Sequence, residues 1–162
     1  MEKRPKARSG EGGARSLVRV GCHGNRRTVD PRTVRRLGER ILEAAAAPSS
    51  ELSVLLCDDR FIRALNREFR HRDAATDVLS FAMREGEAAA FAPKLLGDVV
   101  ISVETAARQA ARDGKKPIDR ARALLIHGIL HLLGFDHETP GDKKQMRAEE
   151  RRIAAGLRPR AR

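Results

Sequence analysis

The chain has 162 residues and a formal net charge of +11, with five Phe and no Trp or Tyr. This length predicts a single domain whose buried core is built from aliphatic side chains. No apolar run is long enough for a membrane span. So basic a chain indicates a polyanionic partner, the alternative being an arginine-rich surface without one. With few aromatic residues, base stacking would contribute little to RNA binding.

Both ends of the chain have the composition of unstructured segments. Residues 1–15 are rich in charged residues, Gly, Ser and Pro, and predict a disordered basic tail. Residues 158–162 predict a second, loose basic end. A single domain is therefore expected over residues 16–157.

The cysteine content and the N-terminus indicate the compartment. Cys22 and Cys57 form no CxxC motif and predict reduced thiols. No apolar signal sequence follows the basic N-terminus. We therefore expect a cytoplasmic protein with no membrane partner.

The first half of the domain predicts two strands and two helices in alternation. Leu17–Val20 is a short strand candidate, and Asp30 suits the N-cap of a helix that runs to about Ala46. Leu52–Leu56 is an apolar run of strand length. Asp58 is placed to cap the next helix, whose apolar residues follow the helical period.

The middle of the chain predicts two further strands separated by loops. A polar loop is expected over Arg70–Thr76, followed by a strand over Val78–Phe81. Arg84–Pro93 predicts a loop of small and charged residues, and Leu96–Ser102 predicts the fourth strand.

Three helices complete the prediction. The first covers Glu104–Asp113 and is closed by Gly114, and the second runs from Pro117 to about Leu133. Thr139 is expected to cap the last helix. The result is an α+β fold, with a mixed four-stranded sheet and about five helices.

Three of the five histidines lie within the eleven residues HGILHLLGFDH. His127 and His131 are four residues apart and share one face of the predicted helix. Gly134 ends that helix, so that the chain can turn and bring back His137. Three imidazoles with an open coordination position are typical of a catalytic zinc site. We therefore predict one zinc ion per chain, held by these three residues.

The same spacing is found in metzincin proteases, except that Gly128 stands where their general-base glutamate would be. Peptide hydrolysis needs that glutamate as a proton shuttle, whereas phosphodiester cleavage can proceed with metal-activated water. The pattern therefore disfavours a metallopeptidase without excluding it. We expect Gly128 to be small so that substrate or neighbouring backbone can approach the helix.

The histidine segment and two earlier blocks resemble the YbeY family of metal-dependent bacterial endoribonucleases, which act in ribosomal RNA maturation. The family motif HGxLHLxGxDH matches throughout. LNREFR with TDVLSF resembles the family's LNxxYR and PTDVLSFP, and LGDVVIS resembles its LGDIVIS. Ala75 and Ala82 replace the usual prolines, and Phe69 replaces the common tyrosine. The likeness covers roughly residues 52–157 and implies a zincin-like fold.

The resemblance implies that Arg70 is a functional arginine. A guanidinium suits the role because it can clamp a phosphate through two hydrogen bonds and offset transition-state charge. Asp77 and Ser80 are weaker candidates. Asp98 is predicted to satisfy buried backbone or histidine groups, and Asp136 either orients a metal ligand or caps a turn.

The resulting hypothesis is a zinc-dependent endoribonuclease specific for single strands, acting in 16S ribosomal RNA 3′-end processing and ribosome quality control. Its partners would be precursor ribosomal RNA and the ribosome or its small subunit. The alternatives are a metallopeptidase and a metal-stabilised ribosome-binding factor with little catalysis.

Overall fold

The computed structural model of the chain describes residues 15–24, 28–83 and 94–159. Its four strands form one mixed sheet in the order β1-β2-β4-β3. The strands are β1 (Leu17–Cys22), β2 (Glu51–Cys57), β3 (Val78–Ala82) and β4 (Leu95–Ser102). β1, β2 and β4 are parallel, whereas β3 runs antiparallel to β4 and forms one edge.

Five helices complete the fold over the described residues. They are α1 (Pro31–Ala44), α2 (Asp59–Arg70), α3 (Val103–Arg112), α4 (Pro117–Leu132) and α5 (Pro140–Leu157). The prediction of an α+β fold with a mixed four-stranded sheet and five helices is confirmed. Of the predicted tail over residues 1–15 and the predicted loose end over residues 158–162, residues 1–14 and 160–162 lie outside the described residues. The predicted loop Arg84–Pro93 lies outside them as a whole.

The predicted N-caps of three helices are confirmed by their hydrogen bonds. The Asp30 carboxylate accepts from the backbone N–H of Arg32, and Asp58 accepts from Phe61. Thr139 accepts from the N–H of Asp142, whose carboxylate accepts the Thr139 N–H in return. These bonds satisfy N–H groups that the first helical turn leaves without backbone partners.

Arg70 lies on a helix, so the prediction that it begins a polar loop is wrong. It is the last residue of α2, and His71 takes the left-handed conformation that ends the helix, with φ 58°. The N–H of His71 bonds back to the carbonyl of Asn66, which closes the final turn. The guanidinium of Arg70 is therefore projected from the end of a regular element.

The two faces of the sheet are covered unequally. On one face, α1, α4 and α5 bury the larger apolar cluster, which includes Leu56, Val99 and Ile129. On the other face, α2 covers a smaller cluster centred on Ile62 and Val100. No described helix is both long and apolar enough to cross a membrane.

Candidate metal centre

The three histidines of the predicted motif converge at the end of α4. One ring nitrogen from each of His127, His131 and His137 lies within 4.8 Å of the other two. The Nε2 atoms of His127 and His131 are 3.1 Å apart. Two nitrogens bound to one tetrahedral zinc are separated by about 3.3 Å, given zinc–nitrogen bonds of about 2.0–2.1 Å. These donors therefore fit a single transition-metal ion.

A glutamate on α5 fixes the orientation of the first histidine. Oε1 of Glu150 lies 2.6 Å from Nδ1 of His127. Because an ionised carboxylate can only accept, Nδ1 carries a proton, and Nε2 is the ring nitrogen that faces His131. Metal-bound histidines commonly have a carboxylate in this position, where it sets the tautomer and strengthens the ligand.

The electrostatics of His131 favour the form that binds metal. Burial is the largest effect that lowers its pKa, and the nearby rings of His127 and His137 lower it further. A lowered pKa leaves the imidazole neutral at physiological pH, with a lone pair available.

A tight turn brings His137 back to the helix. Gly134 has φ 95°, a left-handed conformation that glycine adopts without strain. The carboxylate of Asp136 accepts the backbone N–H of His137 at 2.6 Å. Of the two predicted roles for Asp136, the structure shows the turn cap, which places the third histidine.

Gly128 is small because α4 lies directly against the sheet. A Cβ at this position would lie 2.7 Å from Cγ1 of Val99 and 3.1 Å from Oγ of Ser80. The space was predicted to admit substrate or backbone, but side chains of β3 and β4 occupy it. A glutamate could not enter here without displacing the helix from the sheet.

Arg70 reaches the space beside the three histidines from the opposite side of the sheet. Its Nη2 donates to the carbonyl oxygen of Ser80 at 2.8 Å, and its guanidinium carbon lies 5.2 Å from the centre of the Phe81 ring. The Ser80 hydroxyl donates to the carbonyl of Gly128 at 3.2 Å. Ser80 therefore links the arginine to the histidine helix.

The histidines and Arg70 line one groove of about 820 Å³ along β3, which we call the Arg70 groove. Its other charged side chains are Asp77, Asp136 and Glu138. The described residues thus place the predicted phosphate-binding arginine and the predicted metal ligands around one space. That arrangement can hold a metal and an anionic substrate together.

The structure also shows the surroundings of two further predicted candidates, Asp77 and Asp98. Asp77 accepts hydrogen bonds from Gln109 and Arg120, which braces β3 against α3 and α4. Asp98 does not contact the histidines, so this part of its prediction is wrong, whereas the alternative partner, buried backbone groups, stays a prediction. Its neighbour Val99 faces α4, so Asp98 points to the opposite face of the sheet, where burial raises the pKa of its carboxyl.

Glu150 was not identified from the sequence. It lies four residues after Met146 and three before Ile153, and both of those residues are buried. An acidic residue beside the buried stripe of an amphipathic helix is a signal that it has a partner inside the protein. The packing of α5 against α4, which no local pattern reveals, identifies that partner as His127.

Fold and site together define an α+β protein with a three-histidine group at the end of a helix, able to hold a metal ion. The sequence model of the family described as Endoribonuclease YbeY matches residues 20–158. The chain therefore belongs to the YbeY family.

Individual relatives bear the same description. The Endoribonuclease YbeY of Geobacter metallireducens is 50% identical over 126 residues, which cover 76% of this chain and 84% of that protein. The one from Syntrophotalea carbinolica is 46% identical over 129 residues, or 78% of this chain and 85% of the relative. A chloroplastic Endoribonuclease YBEY of Arabidopsis thaliana is 52% identical over 103 residues, 64% of this chain and 18% of that protein.

The fold also matches a solved structure. The solution structure of TM1509 from Thermotoga maritima superposes with a TM-score of 0.55 at 20% sequence identity. The match covers 86% of this chain and 90% of that protein. At this level of identity the likeness concerns the fold alone.

Proposed function

We propose that this protein is a zinc-dependent endoribonuclease that cleaves single-stranded RNA. The observation that carries the proposal is the shared groove, where His127, His131 and His137 face the same space as Arg70. Membership of a family described as endoribonucleases supports the same activity. The formal charge of +11 suits a polyanionic substrate.

Each site residue has a distinct task in this proposal. The three histidines hold the metal, and Glu150 keeps His127 in the tautomer that presents Nε2. When bound, zinc polarises a phosphoryl oxygen and activates water. Arg70 uses one N–H to hold Ser80, and its other guanidinium donors bind phosphate oxygens whose charge grows during cleavage.

Gly128 supports a phosphodiester substrate over a peptide. The position that would hold a protease's general-base glutamate is closed by Val99 and Ser80. A peptidase without this group lacks its proton shuttle, whereas RNA cleavage has less need of one.

The proposed biological setting follows from the family resemblance. The substrates would be precursor ribosomal RNA at the 3′ end of 16S RNA and the RNA of defective ribosomes. The ribosome or its small subunit would be the partner, and the cytoplasm would be the location.

An assay of three activities on one purified preparation tests the proposal. We expect metal-dependent cleavage of protein-free single-stranded RNA, with little cleavage of duplex RNA of the same sequence and none of casein. Cleavage of casein but not RNA would show a metallopeptidase. Tight binding to the small ribosomal subunit without cleavage of either substrate would show a binding factor.

A further inference from the structure

A second groove leaves the metal centre on the side away from Arg70. It lies between the start of α4 and the end of α5 and has a volume of about 700 Å³. Asp77, Val78 and His127 line both this groove and the Arg70 groove. The two grooves therefore meet at the histidine cluster.

The described residues that line the second groove carry more positive than negative charge, and we call it the basic groove. Its positively charged lining residues are Lys115, Arg120, Arg122, Arg151 and Arg158. Its acidic lining residues are Asp77, Asp119 and Glu150. Among the described residues that line the Arg70 groove, in contrast, there are one guanidinium and three carboxylates.

Only some of the cations in the basic groove are paired with its acidic residues. Arg120 lies 3.3 Å from a carboxylate oxygen of Asp77, and Arg122 lies 3.4 Å from Asp119. Glu150 is held by His127. The other three cations, Lys115, Arg151 and Arg158, are exposed and form no ion pair with any described residue.

We propose that the basic groove binds the backbone phosphates of the RNA strand on one side of the scissile bond. The inference rests on the proposed function, because the strand must pass the metal centre where the two grooves meet. In the Arg70 groove, the described carboxylates of Asp77, Asp136 and Glu138 offset the positive charges of Arg70 and of a bound zinc ion, so a strand bound only there would gain little net attraction. Lys115, Arg151 and Arg158, which form no ion pair with a described residue, would therefore add electrostatic attraction that the Arg70 groove lacks.

The lining of the basic groove also indicates the mode of recognition. Among the described residues, no aromatic side chain other than His127 lines it, so they offer bases no stacking platform there. Contacts to phosphates position a strand without reading its sequence. The basic groove should therefore increase affinity for single-stranded RNA of any sequence.

Two triple variants of the full-length, metal-loaded protein test this inference. The groove variant is Lys115→Ala/Arg151→Ala/Arg158→Ala. The control variant removes three exposed arginines that line neither groove, as Arg35→Ala/Arg36→Ala/Arg60→Ala. A rescue variant keeps the groove charges as Lys115→Arg/Arg151→Lys/Arg158→Lys.

The measurement is single-turnover cleavage of labelled single-stranded RNA against enzyme concentration, repeated at several salt concentrations. For the groove variant, we expect the half-saturating concentration to rise on the order of 10-fold at physiological salt. The slope of its logarithm against log salt should fall by about 2, given about 0.7 per phosphate contact on a single strand. The control variant should keep most of the wild-type slope, and the rescue variant should keep nearly all of it.

The outcomes separate this inference from the proposed function. A wild-type enzyme that cleaves RNA, with a groove variant of unchanged half-saturation and slope, would overturn the groove assignment alone. An equal loss in the control variant would also overturn it, because the effect would then come from overall charge. A wild-type protein that does not cleave single-stranded RNA at any enzyme concentration would overturn the proposed function, and the groove assignment with it.

Discussion

The two faces of the sheet contribute different parts of the candidate site. On the thickly covered face, His127 and His131 project from a helix whose opposite side is buried against β3 and β4. On the thinly covered face, Arg70 stands at the exposed end of α2, held by one hydrogen bond and one ring. The proposed metal ligands are thus fixed by packing against the core, whereas Arg70 is fixed by its contacts with the edge of the sheet.

The two contributions meet at β3 because it is an edge strand. Side chains from both helical layers can reach the same groove only where the sheet ends. Ser80 joins the layers there, since its carbonyl holds Arg70 and its hydroxyl holds α4. We therefore expect changes to the histidines to lower both metal content and cleavage, and changes to Arg70 to lower cleavage alone.

His131→Ala should have the largest effect, because it removes one of the three proposed metal ligands. We expect metal content to fall to a small fraction of wild type, and RNA cleavage to fall with it. Elemental analysis and single-turnover cleavage measure the two losses. His71→Asn is the matched control, since it removes a histidine outside the cluster and asparagine tolerates the left-handed backbone. Normal metal content in His131→Ala would refute the ligand assignment.

Arg70→Ala should separate cleavage from metal binding. We expect single-turnover cleavage to fall by about 10²–10³-fold, as for loss of one transition-state donor, with metal content unchanged. Arg67→Ala, in the same last turn of α2, serves as the control and should cleave like wild type. An Arg70→Ala enzyme as fast as wild type would remove Arg70 from the mechanism.

Glu150→Gln should weaken the metal site without removing a ligand. Glutamine can still accept from Nδ1 of His127, but without the negative charge that strengthens the ligand. Loss of such a carboxylate typically lowers metal affinity by about 10–100-fold. Competition with a metal chelator measures the change. Glu149→Gln is the neighbouring control, and equal affinity in both variants would show that Glu150 does not support the site.

Gly128→Ala should destabilise the contact between α4 and the sheet. The added methyl would lie 2.7 Å from Cγ1 of Val99, and overpacking of this kind costs about 1–3 kcal/mol. Denaturant unfolding measures the loss, and the Val99→Ala double variant should recover part of it. Gly156→Ala, whose Cβ would meet no atom within 4 Å, should be neutral or slightly stabilising. Equal stability in the two alanine variants would contradict the packing account.

Asp98→Asn should have the smallest effect, confined to stability on the α2 face. Burial raises the pKa of Asp98 above its ordinary value of 3.8, so the carboxyl favours folding only while protonated. That contribution is lost as pH rises through the folded-state pKa. The asparagine variant should therefore be more stable than wild type at neutral pH, by about 1 kcal/mol or less. The advantage should vanish in acid.

Asp59→Asn is the matched comparison, and it should lower stability at neutral pH, where Asp98→Asn should raise it. Burial raises the pKa of Asp59, but hydrogen bonds from Ser102, Thr105 and Arg108 outweigh it and lower the pKa overall. Its contribution is present above the ordinary value of 3.8 and is lost as pH falls through the lower folded-state pKa. Urea unfolding of both variants across pH measures these changes in stability. A gain in stability at neutral pH in both variants, or a loss in both, would contradict the assignment.

The features that sequence alone predicted are those encoded locally. The helix caps at Asp30, Asp58 and Thr139 depend on residues within one turn, and the strands are short apolar runs. The histidine cluster was predictable for the same reason. Its three donors lie within eleven residues, and Gly134 marks the turn between the second and third.

The features that sequence alone missed depend on contacts between distant elements. Arg70 was proposed from family resemblance, because no spacing shows that α2 ends beside β3. Glu150 is 23 residues after His127 and reaches it only through the packing of α5 on α4. The close packing around Gly128 and the position of Asp98 on the sheet face opposite α4 likewise follow from strand register and helix packing.

Titration of metal into metal-free protein tests the central claim most directly, that one ion in the three-histidine centre supports RNA cleavage. Zinc would be added stepwise to chelator-treated protein, and the single-turnover cleavage rate of single-stranded RNA would be measured at each bound-metal ratio. The rate should rise in proportion to bound zinc and level off at about one ion per chain. A full rate in metal-free protein, or no cleavage with the site filled, would contradict the claim.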